Sequence, residues 1–238
     1  MRLDRLLANL GYGSRREVQA LIAAGEVGLD DNPLTSAAAH VQPDPQLARR
    51  LTVAGQPIDP PPPLTVIVNK PPGFVCSHRE AGRSIYELLP PRWRRRTPAL
   101  STVGRLDAQT SGLLLITDDG DFLHRIISPR RHVAKRYWAK LARPLESHIA
   151  ARFAAGDLML DGETRPLAPA KLEPIAEDTA WLTISEGRYH QVRRMFAAVG
   201  NHVEELRRDA IGGLKLPDDL TLGGWRIARD DELASIFA

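Results

Sequence analysis

The sequence predicts an α+β protein with a small N-terminal domain and a larger C-terminal domain. First, Leu3, Leu6, Leu7 and Leu10 have the spacing of one face of an amphipathic helix. Second, five of the seven residues at 57–63 are prolines, which favour an extended linker over a helix or a central strand. Third, β-rich segments alternate with amphipathic segments beyond that linker. We therefore predict domains over residues 1–56 and 64–238, joined by a linker at 57–63.

The N-terminal domain begins with two predicted helices. Ser14 and Glu17 have the spacing of a capping box, which marks the start of the second helix. Gly25 is well suited to end it, because glycine adopts the left-handed conformation common after a helix. Residues 27–29 then predict a short strand, and residues 30–33 predict a turn. The strands expected within residues 34–56 have a weaker pattern.

Positive charge is concentrated in one part of the chain. The 238 residues are 43% hydrophobic and 26% charged, as in ordinary globular proteins, with a formal net charge of +3. Residues 64–143 hold 15 basic and 6 acidic side chains, whereas residues 1–56 hold 6 of each. A general preference for arginine over lysine explains the number of arginines but not their concentration. This distribution indicates that a polyanion binds near residues 64–143.

The composition also limits which cellular compartment and which kinds of functional site are expected. The single cysteine, Cys76, excludes an internal disulfide framework and a cysteine-rich zinc site. The first residues have no apolar signal-peptide core, and no run approaches the roughly 20 apolar residues of a membrane span. We expect a cytoplasmic protein without a membrane partner. Since the chain contains no phosphate-cradling glycine motif and no metal-ligand cluster, we expect no cofactor and no metal.

The segment 104–112 carries the main candidate for chemistry. Gly104 and Gly112 bracket Asp107, and the apolar run 113–116 follows at once, so Asp107 is predicted on a tight loop at the start of a buried strand. An aspartate between glycines more often forms a turn than reacts. Other motifs are therefore needed to assign it a function.

Three stretches together carry a family resemblance. Gly104-Arg105-Leu106-Asp107, followed by residues 110–113, resembles the signature of the pseudouridine synthases, in which this aspartate is the essential nucleophile. The turn at residues 69–73 resembles the opening of the synthase catalytic domain, and its Lys70 either faces solvent or contacts an RNA phosphate. Residues 184–203 are very similar to the third synthase motif. The continuation through residues 206–214 favours the RsuA-type branch, which modifies one uridine of small-subunit ribosomal RNA.

The resemblance implies a fold and a set of site residues. It implies a mixed, largely antiparallel sheet flanked by helices, with the motifs meeting in a central cleft. Asp107 would be the nucleophile, and Arg193 would be the basic residue that pairs with it. Tyr137, in a predicted strand at 134–141, would be the active-site tyrosine. On composition alone, a tyrosine in a strand is usually a packing residue.

The resemblance also extends to RNA contacts. The first two helices look like an α-L RNA-binding domain, whose arginines contact phosphates. We predict RNA contacts in both domains, at Arg2, Arg5, Arg15, Arg16, Arg105, Arg130, Arg131 and Arg188. The alternative for the N-terminal arginines is a solvated helix surface.

Four further residues have open interpretations. Trp93, in the basic segment 90–96, either stacks a base or belongs to a solvated surface loop. His190 is interpreted as structural or RNA-contacting, because no second ligand has metal-site spacing with it. Asp118 and Asp119 are explained as caps of a helix that follows.

The predicted function is conversion of one uridine of small-subunit (16S) ribosomal RNA, or of its assembly intermediate, to pseudouridine by a monomeric enzyme. One alternative is the same reaction on a large-subunit (23S) RNA hairpin. A second is a non-catalytic RNA-binding assembly factor, against which the presence of Asp107, Tyr137 and Arg193 together argues. A third is a glycoside hydrolase, which usually needs two carboxylates.

Overall fold

The structure, a computed structural model, describes residues 1–77 and 80–238. The chain forms two compact units. The first comprises Met1–Thr65, Tyr86–Ser101 and Ile116–Gly120, and the second comprises Val66–Ile85, Thr102–Leu115 and Asp121–Ala238. In the described ranges, no helix has the length and apolar character needed to cross a membrane.

The first unit packs three short helices with a four-stranded sheet. The helices are α1 (Leu3–Asn9), α2 (Arg15–Ala23) and the single turn α3 (Leu47–Arg50). The strands, in the order β2-β1-β3-β4, are β1 (Val27–Leu29), β2 (Asn32–Pro33), β3 (Leu51–Val53) and β4 (Gln56–Pro57). All four leucines of the predicted stripe are fully buried in one hydrophobic core, and Ser14 and Glu17 form the predicted capping box. The strands β3 and β4 lie near the end of the segment 34–56, where the sequence pattern for strands is weak.

The basic segment after residue 90 belongs to the interior of the first unit. It forms a 3-10 helix over Pro91–Arg95, and Trp93 is only 4% exposed. Arg96 is buried and pairs with Asp118, with 2.9 Å between Nη2 and Oδ2. The expectation that Trp93 stacks a base or belongs to a solvated loop is therefore wrong. A large indole surface gains more from burial than from exposure to water.

Asp118 is also more than a helix cap. Its other carboxylate oxygen accepts the backbone N–H of Leu64 at 2.7 Å. This buried carboxylate therefore connects three segments of the first unit that are far apart in sequence. The helix that follows is present but begins at Gly120.

The second unit is organised around a mixed sheet, as predicted. Its main strands run in the order β11-β12-β10-β13-β9-β5-β15. Their bounds are β5 (Thr65–Lys70), β9 (Thr110–Thr117), β10 (Lys135–Leu141), β11 (Lys171–Ala176), β12 (Thr179–Ile184), β13 (Val203–Ile211) and β15 (Trp225–Ile227). The strands β13 and β9 are parallel, whereas β10 is antiparallel to both of its neighbours.

Short strands and helices complete the second unit. The strands are β6 (Phe74–Val75), β7 (Arg83–Ser84), β8 (Ser101–Thr102) and β14 (Leu214–Lys215), and a 3-10 helix covers Pro129–Arg131. A further 3-10 helix, Ile85–Leu88, lies mostly in the first unit. The helices are α4 (Gly120–Ile127), α5 (Ile149–Ala154), α6 (Gln191–Ala198) and α7 (Asp230–Ser235). Ile126 of α4 packs with Leu113, Leu115 and Ile211 in one core cluster, which fixes α4 on the sheet beside the start of β9.

Candidate active site

Asp107 lies on a tight loop three residues before β9, as the two bracketing glycines predict. Gly104 and Gly112 both have positive φ angles, of +70° and +99°. At Gly112 a Cβ atom would lie 2.2 Å from the carbonyl oxygen of Arg208, so only glycine allows β9 to approach β13 this closely. The loop that carries Asp107 therefore leads into a strand whose position in the sheet is fixed.

A buried lysine, Lys70, holds the backbone of the loop that carries Asp107. Lys70, the last residue of β5, is fully buried, and its Nζ donates to the carbonyl oxygens of Pro71, Ala108 and Thr110 at 3.1, 3.1 and 2.8 Å. Burial lowers the pKa of Lys70 to about 8, and the Asp107 carboxylate acts in the opposite direction. The interpretation of Lys70 as facing solvent or an RNA phosphate is therefore wrong. Lys70 instead positions the backbone on which Asp107 stands.

Asp107 and Tyr137 share one cavity of about 620 Å³. Tyr137 comes from the middle of β10 and, like Ala139 and Leu141, points to the buried face of the sheet. Arg105, Cys76 and Val192 also contribute to the lining. An aromatic ring and a partly exposed carboxylate therefore face the same space, which is large enough for a nucleotide base and its sugar.

His190 lies beside Asp107, a position that its interpretation as structural or RNA-contacting did not predict. Its Nε2 lies 3.3 Å from Oδ1 of Asp107, and its backbone has left-handed angles (φ 49°) at the start of α6. The ring stacks on Tyr189 at 3.9 Å between centroids, and Tyr189 is 76% exposed. Sequence reasoning did not place His190 beside Asp107, because the two are 83 positions apart. Its place directly before the helix of the third motif was the only available signal.

Arg193 does not form the ion pair expected from the family resemblance. Its Nη1 donates to the carbonyl oxygen of Val203 at 2.8 Å, and no ion pair joins it to Asp107 in the part of the chain that the structure describes. The neighbouring Arg194 pairs with Glu163 at 2.9 Å and donates to two carbonyls. Both arginines thus hold α6 to nearby segments. Both lie off the apolar face of α6, and that pattern does not reveal the backbone acceptors that bind their guanidinium groups.

The predicted RNA-contacting residues of the second unit fall into two groups. The Arg188 guanidinium is used internally: it contacts Glu186 and Glu163 and donates to the carbonyls of Arg165 and Pro166. These contacts hold Arg188 within the chain, and its contact with RNA stays a prediction. Arg105 is exposed at the cavity and pairs with Glu80, while Arg130 and Arg131 are exposed on a 3-10 turn.

The N-terminal arginines divide in the same way. Arg2 and Arg15 both contact the buried carboxylate of Asp4, at 3.0 and 2.9 Å, and they hold the pKa of Asp4 well below its usual range. Arg5 and Arg16 are exposed on α1 and α2. Only the latter pair has side chains wholly available to a ligand.

Comparison with known protein families identifies the chain. Residues 64–198 match the RNA pseudouridylate synthase family, and residues 1–46 match the S4 domain. The chain belongs to the RNA pseudouridylate synthase family. This synthase is therefore an isomerase that acts on RNA, and its first unit contains the RNA-binding module expected from the sequence.

Full-length relatives agree with this assignment. The synthase is 41% identical over 239 residues to the ribosomal small subunit pseudouridine synthase A of Escherichia coli strain K12, covering 99% of this chain and 100% of that protein. It is 38% identical to an uncharacterized RNA pseudouridine synthase of Bacillus subtilis strain 168, covering 98% and 97%. A solved structure of a pseudouridylate synthase, 34% identical, superimposes with a TM-score of 0.70 and covers 99% of both chains.

Proposed function

We propose that this synthase converts one specific uridine of small-subunit ribosomal RNA to pseudouridine, with Asp107 as the nucleophile. The small-subunit branch is supported by the identity of about 40% to named small-subunit synthases from several bacteria, over nearly the whole of each chain. The substrate is the 16S RNA or its assembly intermediate in the cytoplasm, and the enzyme acts as a monomer. The predicted domains, residues 1–56 and 64–238 with the linker 57–63, remain part of this proposal.

The reaction breaks the bond between uracil N1 and ribose C1′ and forms a bond between uracil C5 and the same carbon. C5 loses a proton and N1 gains one, so the composition of the nucleotide is unchanged and no electrons are transferred. The chemistry needs an anion beside C1′, either to attack it or to stabilise its cationic character. The Asp107 carboxylate supplies that anion from the cavity wall.

The observation that carries the proposal is that Asp107 and Tyr137 line one cavity. A uracil ring stacked on Tyr137 would bring its ribose to the side of the cavity occupied by Asp107. Lys70 supports the loop through three carbonyls and adds a positive charge nearby. The carboxylate thus has a fixed backbone and a favourable field before substrate arrives.

His190 and Arg193 have supporting roles in this proposal. His190 Nε2, 3.3 Å from Asp107, restricts the rotamer of the carboxylate. Arg193 holds α6, which begins directly after His190, to Val203. Arg193 is therefore proposed as a positioning residue that acts through α6, in place of the ion pair that the family resemblance implied.

The target uridine must leave its base stack to reach Asp107, which costs a few kcal/mol. The exposed arginines Arg5, Arg16, Arg130 and Arg131 are the phosphate-binding groups proposed to offset this cost. Arg105, at the mouth of the cavity, is proposed to hold the splayed nucleotide once RNA displaces Glu80 from it.

Pseudouridine mapping tests this function. Small- and large-subunit ribosomal RNA, as naked transcripts and as assembly intermediates, would be incubated with the wild type or with Asp107→Asn. The proposal predicts one new pseudouridine in small-subunit RNA with the wild type and none with the variant. Modification of large-subunit RNA alone would contradict the branch assignment. Binding without modification of any RNA would support a non-catalytic assembly factor.

A further inference from the structure

A second, smaller cavity adjoins the site of Asp107. It has a volume of about 160 Å³ and shares Gly104, Arg105, Tyr137 and Gly187 with the lining of the larger cavity. Its own lining adds two cationic side chains, Lys135 and Arg208, and an apolar wall from the end of α4. The proposed reaction uses neither cation, so this cavity needs a separate explanation.

The sheet register brings the two cations to the same face as Tyr137. Tyr137 of β10 is the register partner of Arg208 on β13, and Lys135 precedes Tyr137 by two positions. Side chains two positions apart in a strand point to the same face. Lys135, Tyr137 and Arg208 therefore form one continuous floor, of which Tyr137 also lines the larger cavity.

Arg208 is buried with part of its guanidinium unsatisfied. The residue is 3% exposed, its Nε donates to the carbonyl oxygen of Leu113 at 2.8 Å, and its Nη2 has no hydrogen-bond partner in the described structure. A buried guanidinium normally has its donors paired. Because the Arg208 side chain also lines the cavity, this guanidinium with unused hydrogen-bonding capacity lies beside a space that can hold a ligand with acceptor oxygens.

The cavity also has an excess of positive charge. Burial and the charge of Arg208 both lower the pKa of Lys135, and within the described residues neither cation has a carboxylate partner. Glu186 lines the cavity, but its two oxygens accept hydrogen bonds from Ala168, Gln191 and Arg188. Two close cations without a counter-charge favour an anionic ligand.

We propose that this second cavity binds a backbone phosphate next to the target uridine, with the Arg208 guanidinium and Lys135 Nζ as donors. The inference rests on the proposed function, because a uracil stacked on Tyr137 would carry its own phosphates to the adjoining cavity. Every RNA substrate carries a phosphodiester next to the target nucleoside, so this is the anion available beside the uracil. The subsite fixes the nucleotide by its backbone, independently of the Asp107 chemistry.

Neutral phosphate analogues test the subsite directly. RNA oligonucleotides spanning the mapped uridine would carry one methylphosphonate, either 5′ or 3′ of that uridine, and both Kd and kcat/KM would be measured. For the wild type we expect one of the two substitutions to weaken binding about tenfold. In Arg208→Met and in Lys135→Met the same substitution should have little further effect, because the charge partner is already absent.

Control variants separate this result from general effects. Lys215→Met removes an exposed lysine of β14 outside both cavities and should retain the full methylphosphonate effect. If Arg208→Met fails to fold, Lys135→Met alone decides, because its side chain is only half-buried. Equal methylphosphonate penalties in the wild type and in these variants would overturn the proposal.

Inorganic phosphate distinguishes an RNA phosphate from a free anion. Competitive inhibition by phosphate, lost in Lys135→Met and accompanied by the methylphosphonate effect, supports the RNA subsite. Inhibition without any methylphosphonate effect would assign the cavity to a free anion and overturn the proposal. The Kd measurements also keep the two proposals separate. If the wild type modifies no RNA and no uridine is mapped, the Kd of a short fragment of the bound RNA would be measured with the neutral linkage at each position in turn, and a penalty at one position that is lost in Lys135→Met would still support the subsite.

Discussion

Buried charge is neutralised in the first unit but not beneath the site of the second unit. In the first unit, buried carboxylates neutralise their arginines: Asp4 contacts Arg2 and Arg15, and Asp118 contacts Arg96. Below the Asp107 cavity, Lys70 and Arg208 are buried and bond to carbonyl oxygens, with no carboxylate partner among the described residues.

This difference indicates what each region can do with its charge. A neutralised pair contributes to the fold but leaves no field for a ligand, so the first unit can attract RNA only through side chains such as Arg5 and Arg16 that remain exposed. Unneutralised cations cost stability, since burial disfavours their charge. Such a cost is typical of functional sites, where a preorganised field stabilises a carboxylate or a phosphate.

Replacing Asp107 should produce the largest effect. Asp107→Asn keeps the shape of the side chain but removes the anion, and we expect kcat/KM to fall by at least about 10³-fold. RNA Kd should stay within about threefold, since no RNA phosphate is proposed to bind Asp107. Filter binding and pseudouridine formation on the same RNA would check both values. A parallel loss of affinity would mean that Asp107 is structural.

Gly112 tests how strictly the sheet fixes the loop. Gly112→Ala would force a Cβ to within 2.2 Å of the Arg208 carbonyl oxygen, so we expect a loss of about 3 kcal/mol in the free energy of unfolding. Gly162→Ala is the matched control, because Gly162 also has positive φ (+74°) but nothing lies within 4 Å of the point that its Cβ would occupy. The Gly162→Ala variant should lose about 1 kcal/mol in the free energy of unfolding. Similar denaturation midpoints for both variants would contradict close packing at Gly112.

The buried lysine predicts a pH dependence. Since the pKa of Lys70 is about 8, its charge beside Asp107 is lost as the pH rises through 8, and kcat/KM should fall severalfold between about pH 7 and 9.5. Lys70→Gln retains N–H donors for the carbonyls but has no charge to lose. Its profile should be lower and flat over the same range.

The sign of the stability effect separates this from alkaline unfolding. The Lys70 of the unfolded chain keeps the higher pKa of an ordinary lysine, so above pH 8 the unfolded state binds more protons than the folded state. The contribution of Lys70 to stability therefore increases with pH in that range. A wild-type rate that is constant up to pH 9.5, or one that falls only where the protein unfolds, would contradict this role.

The smallest expected effects concern two neighbouring arginines of the first unit, Arg15 and Arg16. Arg16→Ala removes an exposed charge of α2, so RNA affinity should fall by about two- to fivefold and the salt dependence of log K should decrease by about one unit. Arg15→Ala removes a partner of buried Asp4 and should lower Tm by a few degrees. Salt titrations and thermal denaturation distinguish these effects. A larger stability loss for Arg16→Ala than for Arg15→Ala would reverse the assignment.

Much of the fold was predictable because it depends on local patterns. The leucine stripe, the Ser14 capping box and the glycines around Asp107 each determine a local conformation, and the structure contains all three. Trp93 and Arg96 were predicted less well. Arg96 is buried against Asp118, 22 positions away, and the local sequence pattern does not indicate the burial of Trp93 either.

The site was predictable where a residue carries its own motif and less so where distant segments supply its partners. Asp107 and Tyr137 were predicted, and the structure brings them to one cavity. Arg188 and Arg193 were assigned from their place in the motif, but backbone carbonyls of other segments bind their guanidinium groups. Lys70 is positioned by contacts across 38 and 40 positions, and His190 by a contact across 83 positions, which local patterns do not reveal.

The most direct test is single-turnover kinetics with saturating enzyme, run in parallel with equilibrium binding of the same RNA. It would compare the wild type, Asp107→Asn and Arg16→Ala. We expect Asp107→Asn to lose at least about 10³-fold in the single-turnover rate with nearly unchanged Kd, whereas Arg16→Ala loses affinity and keeps the rate. A variant at Asp107 that retains the wild-type rate at saturation would contradict the proposal that this carboxylate performs the chemistry.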